Sequence, residues 1–214
     1  MSDLTDAIKQ GDLAAAVAVL DDDPSLLHVP EGNVTPLMLA VYHGKHDLAR
    51  LLVDRGARVS FGEAVALGDA ERVRAMLAKD RSLLEQRTPD GFPPVGLAIF
   101  FRHGALARWL IEEGADVSAP AENAQKVAPV HAAAAVCDRD TMRLLLERGA
   151  DANARQQLDY TALHGAASRG DVEMARLLLA HGADRTAQGS DGLSVDGIAR
   201  KYGQTAFADW FAGA

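Results

Sequence analysis

Seven histidines and a single cysteine are the residues of this 214-residue chain that could hold a metal or supply a nucleophile. A zinc site needs three or four convergent His, Cys or carboxylate ligands. His43 and His46 stand three apart, but His46 is expected in a turn between two helices, off the helical face that carries His43. His131 and His164 stand 33 residues apart at corresponding places in a repeated segment. There a local backbone hydrogen bond is the ordinary use of a buried imidazole. Cys137 would need a positioned base to act as a nucleophile, and its neighbours Asp138, Arg139 and Asp140 describe a solvated turn. No G-x-S-x-G elbow, Gly-rich phosphate loop, H-E-x-x-H or paired-cysteine motif occurs. The chain therefore reads as no enzyme, with no cofactor and no metal.

Composition narrows the remaining classes. Twenty-two Lys and Arg stand against 30 Asp and Glu, a net charge of -8 with no basic run, which would repel a phosphate backbone and speaks against nucleic acid. The longest plain apolar stretch, Leu13 to Leu20, is 8 residues, where a bilayer span needs roughly 20. The opening MSDLTDAIKQGDL is acidic, without the basic and apolar segments of a signal peptide. A lone cysteine forms no internal disulfide and suits a reducing compartment. These features predict a cytoplasmic protein, off the membrane and monomeric.

The elements that position these residues are repeated. Gly-Ala-Asp or a near variant recurs at Gly56, Gly114, Gly149 and Gly182, spaced by 58, 35 and 33 residues. Twenty residues before each lies a second marker, at Pro36, Pro94, Pro129 and Ala162. Between the two runs a Leu-rich segment, such as LARLLVDRG or MARLLLAHG, whose spacing gives one apolar helix face. Proline at the first helical position gives up only an N–H that would be unpaired there, and a preceding Thr can cap the helix. The glycine past each Leu-rich run suits a left-handed C-cap. Each unit thus predicts a short helix, a tight turn, a longer helix and an extended loop.

Thr161-Ala162-Leu163-His164-Gly165-Ala166-Ala167, followed by Gly170-Asp171, Leu177-Leu178-Leu179 and Gly182-Ala183-Asp184, resembles the ankyrin repeat, whose period of about 33 residues carries T-P-L-H-x-A at its first helix. The resemblance implies an all-α, ankyrin-like solenoid of about seven stacked helix-turn-helix repeats with short β-hairpin loops, capped at both ends. Approximate units are 1–30, 31–59, 60–86, 87–118, 119–154, 155–187 and 188–214, together one domain. Residues 4–59 and 61–117 look like a duplicated two-repeat module, because Gly11/Gly68, Asp12/Asp69, Leu20/Leu77 and Ser25/Ser82 each lie 57 apart. The third unit lacks the Thr-Pro hairpin and is expected to replace it with a longer helix. Trp109 and Trp210 fall in one slot and are expected to anchor the core.

The same resemblance implies that a partner protein, of unidentified kind, binds the concave face through hairpin tips and the positions six and seven residues after the Pro slot. On this chain those positions and tips give Tyr42, His43, Leu67, Phe92, Phe100, Phe101, Val136, Tyr160, Arg169 and Tyr202, with Ala66 beside Leu67. Six of the eleven aromatics fall on this face, as an interface core would have them. Tyr42, Phe92, Phe100 and Phe101 are the expected energetic centre. The alternatives are a small-molecule-binding or enzymatic protein with a pocket near Phe100, and a self-associating scaffold.

Overall fold

In the computed structural model, which describes residues 3–213, every regular element is helical: fourteen α-helices and no strand among the described residues. Two isolated antiparallel bridges, Glu31 with Val34 and Gln188 with Ser194, close the tips of two loops. By its internal contacts the chain divides into two compact units, Met1–Leu83 and Leu84–Ala214.

The first unit holds α1 (Asp3–Gln10), α2 (Leu13–Asp22), α3 (Pro36–Tyr42), α4 (His46–Asp54), α5 (Phe61–Leu67) and α6 (Ala70–Leu77), with a 3-10 turn at Pro24–His28. The helices pack as consecutive pairs, and the first helix of each pair lies beside the first helix of the next. The second unit repeats this plan with α7 (Pro94–Phe100), α8 (Gly104–Glu112), α9 (Pro129–Val136), α10 (Arg139–Glu147), α11 (Ala162–Arg169), α12 (Val172–Ala180), α13 (Val195–Lys201) and α14 (Thr205–Gly213). There α7, α9, α11 and α13 form one row, and α8, α10 and α12 pack as neighbours in another.

The two markers read from the sequence do distinct physical work. Thr35 caps α3 by accepting from the Met38 N–H at 3.0 Å, with Pro36 at the first helical position. Between paired helices the chain turns through a left-handed residue, and in four of the pairs the next residue is an aspartate that caps the second helix. Asp12, Asp69, Asp138 and Asp171 accept from the N–H groups of Ala15, Arg72, Thr141 and Met174 at 2.9–3.0 Å. Glycine supplies the left-handed turn at Gly68 and Gly170, but Arg102 (φ 64°) and Cys137 (φ 59°) supply it after α7 and α9. In the Gly-Ala-Asp motif the left-handed glycine lets the alanine N–H return to the last helical turn, as in Ala115 to Leu110 at 3.0 Å and Ala150 to Leu145 at 2.9 Å. The aspartate then turns the chain by accepting from the residue two positions on, Ser118, Asn153 or Thr186, each at 2.8 Å.

The core is the seam between rows. Leu52, Leu110, Leu145 and Leu178, one from each Leu-rich helix, are fully buried. Several details depart from the sequence expectation. The third pair has no longer helix: α5 and α6 are 7 and 8 residues. Only residues 57–59 separate Gly56 from the Ser60 cap, so the chain enters α5 without a hairpin tip. His46 begins α4 rather than lying in a turn, because the left-handed Gly44 completes that turn two residues earlier. Trp109 and Trp210 are half-buried, the latter under the Arg176 guanidinium at 5.0 Å from its ring centre.

A cross-repeat bond stands at the head of α5. Ser60 and Glu63 form a reciprocal capping box, with the Ser60 N–H donating to Glu63 Oε2 at 2.7 Å and the Glu63 N–H donating to Ser60 Oγ at 3.3 Å. The other oxygen of Glu63, a residue only 2% exposed, accepts from the hydroxyl of Thr35, the cap of the preceding first helix.

Candidate functional site

In the second unit the first helices and the loops before them make one face, and its rigidity begins at the loop tips. The Thr88–Phe92 tip is closed by the Thr88 N–H donating to the Phe92 carbonyl and the Phe92 N–H donating to Thr88 Oγ1, both at 3.0 Å. Successive tips are joined by backbone bonds from Glu122 to Gly91, Gln157 to Gln125 and Ser190 to Leu158, each 2.9 Å. Gly91 is needed for this approach, since a Cβ there would sit 2.7 Å from the Glu122 carbonyl oxygen. A side chain on these tips is therefore held rather than loose.

Phe92 reaches from its tip to Phe100 at the end of α7, with ring centres 6.2 Å apart. Phe101 meets Phe100 edge-on at 5.1 Å. Phe92 and Phe101 are half-buried, whereas Phe100 is 52% exposed although its neighbours support it on two sides. Phe92 and Phe100 form the wall of a groove of about 260 Å³. Its bed consists of small residues: Ala132 and Ala135 of α9, and Gly165 and Ser168 of α11. The bed is low because α9 and α11 approach closely, to the point that a Cβ on Gly165 would lie 3.2 Å from the Ala134 Cβ. Gln125 and Gln156 stand on the tip side of the groove, and exposed Arg169 at the end of α11.

The structure thus brings together Phe92, Phe100 and Arg169 of the expected residues, with Phe101 behind them. Val136 is half-buried at the end of α9, where its carbonyl accepts from Arg102 Nη1 at 3.3 Å. Tyr160 has a different use. Its ring stacks on His164 at 5.0 Å and its hydroxyl donates to Asp191 at 2.6 Å, tying one tip to the next. Burial, with the Asp191 bond, pushes the phenol up to about 12. Tyr202, 58% exposed at the end of α13, is not part of the groove lining. In the first unit Tyr42 is half-buried at the end of α3, His43 is exposed as its cap, and Leu67 is half-buried at the end of the adjacent α5. Ala66, expected on the face, is buried.

Sequence reasoning placed Ala135 and Ser168 on the face, six residues after the Pro slot, but missed Ala132 and Gly165. The available signal was size at the third position after the Pro slot, which is Leu97 in α7 and Ile198 in α13 but Ala132 and Gly165 in the two helices between.

The two repeat histidines are structural. His131 Nδ1 accepts from the Ala128 N–H at 3.1 Å, so its proton sits on Nε2, which donates to the Ala154 carbonyl, in the loop after α10, at 2.8 Å. His164 Nδ1 accepts from the Thr161 N–H at 3.2 Å, but its buried Nε2 has no partner in hydrogen-bonding geometry. Burial is the largest cause that holds both imidazoles below their ordinary value of 6.5, against the carbonyls of Ala154 and Leu193 respectively. With the folded pKa depressed, the unfolded chain takes up these protons first, so their stability contribution is complete above about pH 6.5 and is lost as pH falls below it. Urea midpoints are accordingly expected to fall between pH 7.5 and pH 5.5, about where free histidine titrates. A His131→Ala/His164→Ala variant should be less stable at pH 7.5 but flatter across that window; an equally steep profile would place the dependence elsewhere.

Among the described residues no three His, Cys, Asp or Glu gather in a metal-binding arrangement, and no helix is long and apolar enough to cross a membrane. A family model described as ankyrin repeats in three copies matches residues 61–156 and 130–210, and one described as a single ankyrin repeat matches 33–61.

Proposed function

The chain belongs to the ankyrin repeat family, whose members are generally protein–protein interaction modules, and from that premise we propose that it is a non-catalytic module binding a partner protein through the first-helix and tip face of its second unit. The observation that carries this reading is Phe100. A large aromatic side chain 52% open to solvent, yet fixed between Phe92 and Phe101, is the form of a preorganised interface anchor. On the first unit, taken by itself, Tyr42, His43 and Leu67 occupy the corresponding helix ends. In this reading the protein is a cytoplasmic monomer whose exposed Cys137 thiol stays free.

A small-molecule site at Phe100 would need convergent polar groups free to bind. His131 is committed to Ala128 and Ala154, and the Thr161 hydroxyl lies 3.0 Å from His164 Nδ1, so two of the polar groups lining the groove are already occupied. Affinity capture from the native lysate tests the proposal. Wild type should retain a protein that Phe100→Ala loses, with unchanged helical circular dichroism. Retention of the same protein by Phe100→Ala and by Tyr42→Ala would move the recognition surface away from both faces.

A further inference from the structure

We propose that the groove of the second unit takes a peptide segment with a large apolar residue beside one or more carboxylates, the apolar side chain lying on the Ala132–Gly165 bed against Phe100 and a carboxylate facing Arg169. This rests on the reading of that face as a protein-binding surface and adds the chemistry of the partner.

The chain carries a net charge of -8, yet α7, α9 and α11 contain no acidic residue and α13 contains only Asp196. That carboxylate is already engaged, accepting from Ser194 Oγ at 2.7 Å and lying 4.0 Å from Arg200. Arg200 on this row lies 4.0 Å from Asp196 and 3.9 Å from Asp209, but two other arginines lack a carboxylate partner among the described residues. Arg169 is exposed and has no ion pair among the described residues. Arg102, just after α7, donates to a neutral carbonyl, that of Val136, which leaves its charge unbalanced. Elsewhere in the unit several arginines are paired, as in Arg143 with Asp140, Arg176 with Glu173, and Arg139 with Asp171, while Arg148 and Arg155 donate to backbone carbonyls. An acidic protein whose groove lining holds no acid and one exposed arginine without an ion pair, Arg169, presents a surface complementary to carboxylates.

Groove size and rim point to a peptide. About 260 Å³ accommodates a side chain or two and lies at the low end of the roughly 300–1,000 Å³ of drug-sized ligand sites. The side-chain amides of Gln125 and Gln156 on the rim offer both donors and acceptors to a passing main chain. Two carboxylates of the tip loops are already used: Asp191 holds Tyr160, and Glu122 pairs with Arg87.

Selection from a phage-displayed library of random linear peptides tests this, followed by fluorescence anisotropy of the enriched sequences as synthetic peptides. The enriched sequences should carry an aromatic or aliphatic residue within a few positions of Asp or Glu. Phe100→Ala and Arg169→Glu should each weaken binding by roughly tenfold or more. The Arg169→Glu effect should shrink as salt is raised. Ala135→Trp, which fills the groove from an exposed position, should abolish binding with the unfolding midpoint unchanged. Peptides that respond to Phe100→Ala and Ala135→Trp but lack acidic residues, or ignore Arg169→Glu, would overturn the partner chemistry and leave the binding face standing. Peptides indifferent to all three variants, or no enrichment at all, would overturn both.

Discussion

Leu110→Ala is expected to cost about 2–5 kcal/mol of folding stability, and Leu52→Ala, Leu145→Ala and Leu178→Ala a similar amount. Each side chain is 0% exposed and occupies the same slot in the Leu-rich helix of its repeat. Truncation removes three buried carbons and leaves a space that the surrounding helices cannot fully close. A repeat buries its apolar stripe only against its neighbours, so the loss falls on the stacking between pairs as well as within one. Urea unfolding followed by circular dichroism gives the measurement. Losses below about 1 kcal/mol at all four positions would mean that the seam of the core lies along another line.

Glu63→Ala is the second large effect, expected at about 2–4 kcal/mol, because one truncation removes the capping box of α5 and leaves the Ser60 N–H and the Thr35 hydroxyl without their acceptor. Glu63→Gln keeps the volume and one acceptor oxygen and should cost less. Hydrogen exchange at the amides of α5 provides a local readout, with faster exchange in Glu63→Ala than in Glu63→Gln. An unchanged unfolding midpoint in Glu63→Ala would show that the carboxyl group is dispensable.

The fold was legible in the sequence where one residue type does one local job. Pro36, Pro94 and Pro129 start helices because their fixed φ suits the first turn, and Gly114, Gly149 and Gly182 end them because the left-handed conformation is required there. The 33-residue spacing of His131 and His164 likewise announced a structural role, since both rings accept from the backbone at the head of their own helices. What stayed hidden depends on distance through space. The S-x-x-E pattern at Ser60 predicts a capping box, but nothing in it announces the hydroxyl of Thr35, 28 residues away. Tyr160 looked like a contact residue because aromatic character at a tip does not reveal that Asp191 of the next tip takes its hydroxyl. The groove bed was invisible for a related reason: Ala132 and Gly165 matter through the space they leave, and that space exists only once α9 and α11 are brought together.

The left-handed turns after α7 and α9 set thermostability against recognition. For a residue with a Cβ that backbone region is disfavoured by about 1–2 kcal/mol, and Arg102 and Cys137 both occupy it in consecutive repeats. They directly follow Phe100-Phe101 and Ala135-Val136, the ends of the two helices that flank the aromatic wall. A chain selected for heat resistance alone would carry glycine at both positions. Glycine at 102 would also remove the guanidinium that bridges to Val136 and a positive charge beside Phe100. Ease of stabilisation is therefore greatest where an engineer seeking to keep the binding face should intervene last.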